Sequence, residues 1–407
     1  MISLVVTSDG IARTVESGTP VSGATVLIDR GGPLERTSTN AQGASQFSAA
    51  GVARYHVIYR DAVGWRVYTV ALPKLRVMDL GGRPALDFSE MTFVAPNGGG
   101  ETYRVEMVNR CSHSTQYTRP TISILFDRQC EGQKVRMIAY QSNLVNNVEA
   151  YGYLDAGEVT LEGSSTFVAD GSYAELSPYA IELGNLPVTS GIVSASLFER
   201  TESGRLSLTP SGGGSVVVLD RAATLAVRAV PGGNALVIDA GYSFEGPAAR
   251  DLFASSTYFR PFSFALPSAI AFDASAMLPL FDSLELEPPA AVRWSGGGSS
   301  GQLVAFEAVS GRVRWTAYLE PSATALDFPA LPSDLIEATP ASFDEAALAR
   351  IAVPDTTTAE LARTVDRIWR SWPDDARFLS GAGSAVSQVF YIPGISVAPD
   401  RARLRGW

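Results

Sequence analysis

The sequence predicts an all-β protein of tandem antiparallel β-sandwich domains with a short helix near the C-terminus. Short runs of alternating apolar and polar residues recur along the chain, and Gly, Pro, Asn or Asp separate them. The chain has 407 residues, more than one hydrophobic core normally serves, so several domains are expected. One late segment has the apolar spacing of a helix together with a strong helix-start signal.

The first predicted domain carries an ordered set of strand and turn motifs. Pro20–Val26 is followed by the turn Thr39–Gly43, by Phe47, and by the strand Tyr55–Val57. In this order the residues resemble the carboxypeptidase regulatory-like domain, a transthyretin-like, immunoglobulin-type β-sandwich. The resemblance covers residues 1–75 and implies a seven-stranded accessory module without catalytic residues. The family has Asp where this chain has Asn40, and Asn serves the same turn.

Three antiparallel hairpins are predicted further along the chain. In each, two alternating runs flank a short stretch of turn-forming residues, among which Gly311 supplies the positive φ that a tight turn needs. Antiparallel hairpins exclude a parallel α/β sheet for these regions. The paired runs are Val227–Val230 with Ala235–Ile238, Leu303–Phe306 with Val313–Thr316, and Ile192–Phe198 with Leu206–Leu208.

The strand count of the first domain, the glycine-rich segment Ser211–Ser215 and the proline-rich segment Phe328–Pro332 place domain boundaries near residues 75, 215 and 335. They define a cysteine-containing β domain at 76–215, a β-sandwich at 216–335, and a C-terminal segment at 336–407. The last segment contains the predicted helix 358–372, which begins at the capping box Thr357–Glu360 and ends at Pro373. The apolar stripe of this helix consists of Leu361, Val365, Ile368, Trp369 and Trp372.

Charge and hydropathy restrict the partners and the compartment. The net charge of −10 disfavours nucleic acid and anionic membranes. The longest apolar run, 265–281, is broken by two prolines and an aspartate, so we expect no membrane-spanning segment. The start Met1–Thr7 lacks the features of an export signal. The β-rich composition nevertheless favours a secreted, periplasmic or outer-surface protein whose signal segment is absent from this chain, with a cytoplasmic protein as the alternative.

The two cysteines, Cys111 and Cys130, also bear on the cellular compartment. An even pair in an exported protein indicates one disulfide, worth about 3 kcal/mol. Two separate buried thiols are the first alternative. A zinc site that also uses His113 is the second, but ligand pairs in zinc sites are usually closer in sequence. We therefore predict a disulfide, no metal and no cofactor.

No motif supplies a working active site. The chain has two histidines, His56 and His113. Gly297–Gly301 matches the G-x-S-x-G nucleophile elbow, yet a strand follows it and no histidine lies downstream. Glu285 and Glu287 fall on one face of a predicted strand, where paired carboxylates could act in a hydrolase. Acidic residues on the solvent face of a strand are the ordinary alternative.

Aromatic side chains are the remaining candidates for recognition. An exposed row of rings would stack on sugars or anchor a protein interface, whereas large aromatic residues more often fill a core. We predict a non-enzymatic surface protein that acts in protein–protein interaction or as a subunit of a surface assembly. A carbohydrate-binding protein and a hydrolase with loop carboxylates are the alternatives, so the partner is a protein or a glycan. The candidate binding residues are Tyr151, Tyr153, Trp294, Trp315, Trp369 and Trp372.

Overall fold

The chain forms an all-β structure, which confirms the predicted class. Its regular elements, apart from three short 3₁₀ turns, are all strands within the part of the chain that the structure describes. The computed structural model describes residues 2–7, 20–72, 78–79, 88–108, 111–113, 116–117, 119–145, 148–201, 204–210, 214–243, 252–287, 291–298, 301–354 and 384–391. The predicted helix 358–372 lies outside these residues.

The N-terminal region divides its strands between two sheets. Strands β3-β2-β5-β6 are neighbours in one sheet, and β4-β1-β7 form the other. The predicted turn Thr39–Gly43 is present, and the Asn40 side chain accepts hydrogen bonds from the backbone N–H of Gln42 and Ala44. Asn therefore serves this turn, as expected. The strands are β1 Ile2–Thr7, β2 Thr25–Asp29, β3 Glu35–Ser38, β4 Ala44–Phe47, β5 Arg54–Arg60, β6 Trp65–Val70 and β7 Met78–Asp79.

The next region is a sandwich of two sheets around its own buried core. Strands β10-β12-β8-β15 form one sheet and β11-β9-β13-β14-β16 the other. Phe93, Phe126 and Met137 are among its fully buried residues. The strands are β8 Phe88–Val94, β9 Thr102–Met107, β10 Ser112–His113, β11 Gln116–Tyr117, β12 Thr121–Asp127, β13 Lys134–Val145, β14 Val148–Thr160, β15 Thr166–Val168 and β16 Ala174–Glu175, with a 3₁₀ turn at Arg128–Cys130.

The remaining strands complete one long sheet and two small ones. They are β17 Ser177–Gly184, β18 Ser190–Thr201, β19 Gly204–Ser207, β20 Gly214–Leu219, β21 Ala223–Ala229, β22 Ala235–Ser243, β23 Leu252–Pro261, β24 Ala269–Asp273, β25 Phe281–Glu287, β26 Ala291–Gly296, β27 Leu303–Ser310, β28 Val313–Leu319, β29 Ala325–Asp327, β30 Glu345–Ala352 and β31 Ser384–Tyr391, with 3₁₀ turns at Ala274–Ala276 and Ser333–Ala338. The small sheets are β21-β17-β24 and β25-β26-β29.

The long sheet contains 13 of the described strands, drawn from the N-terminal region and from residues 190–391. Its order is β19-β18-β22-β23-β31-β30-β27-β28-β6-β5-β2-β3, and β20 pairs with β18 beside β19. The two small sheets share one large buried core with this sheet, to which Ile181, Phe281 and Phe306 contribute. A second core, which includes Tyr55, Tyr318 and other residues of the N-terminal and C-terminal strands, is separate from the first.

A parallel pair joins the N-terminal strands to the rest of the long sheet. Strand β6 lies parallel to β28, with Trp65 opposite Val313. Gly64 permits this contact, because a Cβ atom at this position would lie 1.9 Å from the Arg312 carbonyl oxygen. Strand pairs thus connect residues on both sides of each boundary predicted near 75, 215 and 335. The boundaries themselves stay a prediction.

Two of the three predicted hairpins are confirmed. Strands β27 and β28 pair antiparallel around a tight turn in which Gly311 has φ +55°. Strands β18 and β19 also pair antiparallel. The hairpin between Val227–Val230 and Ala235–Ile238 is wrong, because β21 pairs with β17 while β22 pairs with β18 and β23.

The loop between β21 and β22 carries the chain from one sheet to another. The side chain of Asn234 accepts a hydrogen bond from the backbone N–H of Arg200 at 2.6 Å. Its backbone N–H donates to the carbonyl oxygen of Phe198 at 2.9 Å. Both bonds tie the loop to β18, so the strand that follows joins the long sheet and does not fold back on β21.

Within the described ranges four strand pairs are parallel, which the sequence did not indicate. Besides β6 with β28, they are β1 with β7, β8 with β15, and β17 with β24. In each pair the two strands are separated by other elements of the chain. Parallel neighbours need such long connections, and local sequence patterns carry no information on them.

The predicted disulfide is confirmed between Cys111 and Cys130. Their sulfur atoms are bonded, and both residues are almost completely buried in the core of the sandwich formed by β8–β16. The bond links the segment before β10 to the 3₁₀ turn after β12. Because both thiols are consumed, the zinc alternative with His113 is excluded.

We predict that loss of this disulfide destabilises the protein by about 3 kcal/mol, because the crosslink restricts a loop of the unfolded chain. The measurement is urea denaturation of the wild type and of the Cys111→Ala/Cys130→Ala variant, each with and without dithiothreitol. The reductant should lower the midpoint of the wild type only. An equal response of both proteins would contradict the prediction.

Candidate functional site

The two tryptophans of the central region lie in the core. Trp315 is 1% exposed, and its ring makes edge contacts with Phe306 and Phe328. Trp294 is 4% exposed, and its Nε1–H donates to the carbonyl oxygen of Ala323 at 2.9 Å. Both side chains therefore fill the core, as large aromatic residues usually do, and neither ring is available at the surface.

Among the described residues, the other predicted aromatic side chains, Tyr151 and Tyr153, do not form an exposed row. Tyr151 and Tyr153 lie on one face of β14, where both are half-buried and pack against the large core. Tyr153 stands opposite Tyr140, which is fully buried. Trp369 and Trp372 lie outside the described residues.

The carboxylates of β25 face the solvent. Glu285 and Glu287 are both exposed on the same side of the strand, and Arg293 of β26 stands opposite Glu285. This placement is that of ordinary surface acids. No group of three potential metal-ligating side chains exists among the residues that the structure describes.

The Gly297–Gly301 segment joins two strands, as the sequence predicted. Strand β26 ends at Gly296 and β27 begins at Leu303. A nucleophile elbow requires a helix after the turn, and a strand follows here. Ser299, the formal nucleophile of the motif, lies outside the described residues.

His56 belongs to a buried polar chain that connects the N-terminal strands to β28. Its Nδ1 lies 3.0 Å from the Thr69 hydroxyl, which also accepts a hydrogen bond from Trp315 Nε1–H at 2.9 Å. His56 is completely buried, and its Nε2 has no hydrogen-bond partner within the described part of the chain. Burial and the nearby Arg54 guanidinium lower the pKa of His56 to about 3, although Asp29 opposes this shift. The imidazole is therefore neutral and structural.

Strand β20 lies at one end of the long sheet, and the described residues give it no ladder partner besides β18. It pairs with β18 on one side. Strand β21 runs back close to β20, since a Cβ atom at Gly214 would lie 2.8 Å from the Ala226 carbonyl oxygen. Among the described residues the two strands are bridged only between Leu219 and Ala222, across a turn with positive φ at Asp220 and Arg221. Val218 is buried in the large core. Val217 and Leu219 point the other way and are 61% and 72% exposed.

The sheet face beside this edge is lined by small polar side chains. Ser215, Ser194, Asp239 and Thr257 stand opposite one another on four neighbouring strands. By alternation they share the face of Val217. The Thr257 hydroxyl donates to Asp239 at 3.1 Å. Burial raises the pKa of Asp239 to about 6 despite this hydrogen bond.

We call β20 together with this row the β20 surface, and it is the candidate functional site. None of the residues predicted as functional lies in it. The available signal was the run Gly214–Leu219, which contains no charged residue and no proline. Natural edge strands usually carry such residues to prevent pairing with other chains.

Comparisons with known proteins give no family. No protein-family model and no curated protein matches the chain. The carboxypeptidase regulatory-like resemblance therefore stays a prediction. No helix among the described residues is long and apolar enough to span a membrane.

Solved structures show weak similarity. A mutant of the shaft pilin spaA from Lactobacillus rhamnosus GG has a TM-score of 0.13 and 12% identity, over 42% of this chain and 97% of that chain. A streptococcal ancillary pilin has a TM-score of 0.16 and 10% identity, over 67% and 98%. The Bacillus anthracis TIE protein has a TM-score of 0.14 and 8% identity, over 67% and 49%. TM-scores of this size do not establish a shared fold, and the all-β class rests on the strands themselves.

We expect His56 to make the protein less stable in acid. Its folded pKa lies below the ordinary value of 6.5, so the unfolded chain binds the proton more tightly. The contribution of His56 to stability is complete above pH 6.5 and falls toward pH 3, by at most about 1.4 kcal/mol per pH unit. Urea denaturation between pH 4 and 8 measures it, and the His56→Gln variant should show a flatter profile. Parallel profiles of variant and wild type would be inconsistent with a buried neutral imidazole.

We expect Asp239 to have the opposite effect and to make the protein less stable as the pH rises. Its folded pKa lies above the ordinary value, so its carboxyl group destabilises the fold increasingly as the pH rises from about 4 to 6. We expect Asp239→Asn to stabilise the protein at pH 8 by at most about 3 kcal/mol and to have little effect near pH 4. Asp220→Asn, in an exposed turn, is the matched control. An Asp239→Asn variant that is no more stable than wild type at pH 8 would count against the raised pKa.

Proposed function

We propose that this protein is a non-enzymatic subunit of a surface assembly, and that it binds a second copy of itself by pairing strands at the edge of β20, which has no second ladder partner among the described residues. The observation that carries the proposal is this uncharged edge with exposed Val217 and Leu219. Addition of a strand to a sheet edge provides main-chain hydrogen bonds and apolar side-chain contacts at once. The disulfide supports export to an oxidising compartment.

The choice of β20 rests on a comparison with the other sheet edges. Several edge strands among the described residues carry charged side chains, such as Glu35 in β3, Arg228 in β21 and Asp273 in β24. Strands β4 and β15 are uncharged but have only four and three residues. Strand β20 has six residues and no charge. It is therefore the longest uncharged edge in the described part of the chain.

The choice of a second copy rests on symmetry and charge. Two β20 strands related by a twofold axis run antiparallel, so the same uncharged residues meet from both sides. A partner with many positive charges would gain nothing from an edge without acidic residues. The net charge of −10 opposes self-association at a distance, and salt screens this repulsion. Association should therefore strengthen as the salt concentration rises.

The prediction for this function concerns the Val217→Lys variant. A lysine on an edge strand is a natural means of preventing edge pairing, so this variant should self-associate at least about tenfold more weakly than wild type. Sedimentation velocity over a range of protein and salt concentrations measures the association.

The matched control is Val63→Lys. Val63 is 71% exposed and lies in the turn between β5 and β6, away from the β20 surface. This variant should associate like wild type. A wild type that stays monomeric at about 200 µM in high salt, or equal weakening by both substitutions, would reject β20 as the assembly edge.

A further inference from the structure

An exposed aromatic patch lies in the loop that follows β23. Phe264 of this loop is 59% exposed, and its ring makes an edge contact with the half-buried Phe262, with 5.8 Å between the ring centres. Arg260, two positions before Phe262, is also exposed. Aromatic residues and arginine are the types enriched at the centre of protein interfaces. We call Arg260, Phe262 and Phe264 the Arg260 surface.

Arg260 is held in place by ring stacking and forms no ion pair. Its guanidinium carbon lies 5.1 Å from the centre of the Phe262 ring and 5.3 Å from the centre of the Phe272 ring, both within the range of cation–π attraction. Phe272 is 4% exposed and belongs to the large core. Within the described ranges no carboxylate pairs with Arg260. Its charge and its N–H donors are therefore available at the surface.

The loop that presents Phe264 is fixed on both sides of this residue. The backbone N–H of Phe262 donates to the carbonyl oxygen of Asn234 at 2.7 Å, and that of Leu266 donates to the carbonyl oxygen of Gly233 at 2.7 Å. Leu266 is 6% exposed and belongs to the large core. Because the loop is already ordered, a partner that binds Phe264 loses little free energy in fixing it.

Strand β25 offers a surface of complementary charge. Glu285 and Glu287 are exposed and lie two positions apart on this strand. Neither forms an ion pair in the part of the chain that the structure describes, because Arg293, opposite Glu285, pairs with Asp327 at 3.1 Å. Among the described strands, β25 alone presents two acidic side chains with this spacing and without a cationic partner. Within one copy of the chain these acids form no ion pair with Arg260.

We propose that the Arg260 surface of one copy binds strand β25 of a second copy, with an ion pair from Arg260 to Glu285 or Glu287 and with Phe264 packed beside it. The proposal rests on the proposed function as an assembly subunit and adds a second contact to it. Two β20 strands related by a twofold axis close a dimer, so growth beyond a dimer needs a heterologous contact. The Arg260 surface and β25 are different patches of one chain, and their contact repeats from copy to copy.

Sedimentation velocity on the full chain with the β20 edge blocked by Val217→Lys tests the contact. This variant should still self-associate, and adding Arg260→Ala should weaken the remaining association about tenfold. The ratio of the two association constants should shrink toward one as salt is added, since salt screens the ion pair while the net repulsion changes almost equally in both variants.

The two assembly contacts fail independently in this design. Equal association of Val217→Lys with and without Arg260→Ala, or a Val217→Lys variant that is monomeric at about 200 µM, would reject the Arg260 surface. The Arg260→Ala variant alone retains the β20 contact, so its association measures β20 by itself. Loss of that association would reject β20 and leave the Arg260 surface standing.

A mixing experiment identifies β25 as the partner surface, with every variant carrying Val217→Lys. The Arg260→Glu variant and the Glu285→Arg/Glu287→Arg variant should each associate about tenfold more weakly than the parent. Their mixture should form heterodimers, because the intact acids of the first bind the intact Arg260 of the second.

The matched control is Arg228→Glu, at an exposed position of β21, which should associate like the parent. Cooperative thermal unfolding checks that each variant is folded, and substitutions at exposed positions seldom prevent folding. A mixture of folded variants that forms no heterodimer would overturn the assignment of β25. Arg260→Glu that associates as strongly as Arg228→Glu would overturn the whole proposal.

Discussion

The parallel pairing of β6 with β28 joins the N-terminal strands to the remaining strands of the long sheet. Without it, the strands β3-β2-β5-β6 would form a separate small sheet, and β28 would be an exposed edge. The backbone pairing is reinforced by the hydrogen bond from Trp315 to Thr69 and by the contact of Thr69 with His56. Gly64 lets the Arg312 carbonyl oxygen approach the start of β6. The buried side chains of Trp315, Thr69 and His56, together with the lack of a side chain at Gly64, thus hold the N-terminal strands in the long sheet.

Local features of the fold could be predicted from the sequence because they depend on neighbouring residues. The turn at Gly311 and the capping role of Asn40 require particular backbone angles and short-range hydrogen bonds, which residue type determines. The failed hairpin at Pro231–Asn234 shows the limit. Its turn residues permit a reversal of the chain, but hydrogen bonds to the distant strand β18 decide which sheet receives the next strand.

The functional features were harder to predict because they depend on exposure. Trp294 and Trp315 are equally compatible with a binding surface and with a core, and only the packing of distant strands shows that both are buried. Phe264 lies beside the apolar run 265–281, where composition alone predicts burial, yet its ring is exposed. Which edge of β20 is paired depends on the distant strand β18, and no local pattern records that pairing. The disulfide was predictable because the chain has no other cysteines.

The long sheet also imposes an order on folding. Thr69 and Trp315 are 246 positions apart, so β6 cannot find its parallel neighbour until most of the chain has been synthesised. Contacts between such distant residues are slow to form, since a long loop must close first. During that interval the β6 edge is unpaired and can join the wrong strand. A chaperone that covers this edge would accelerate maturation more than one that acts on the C-terminal strands.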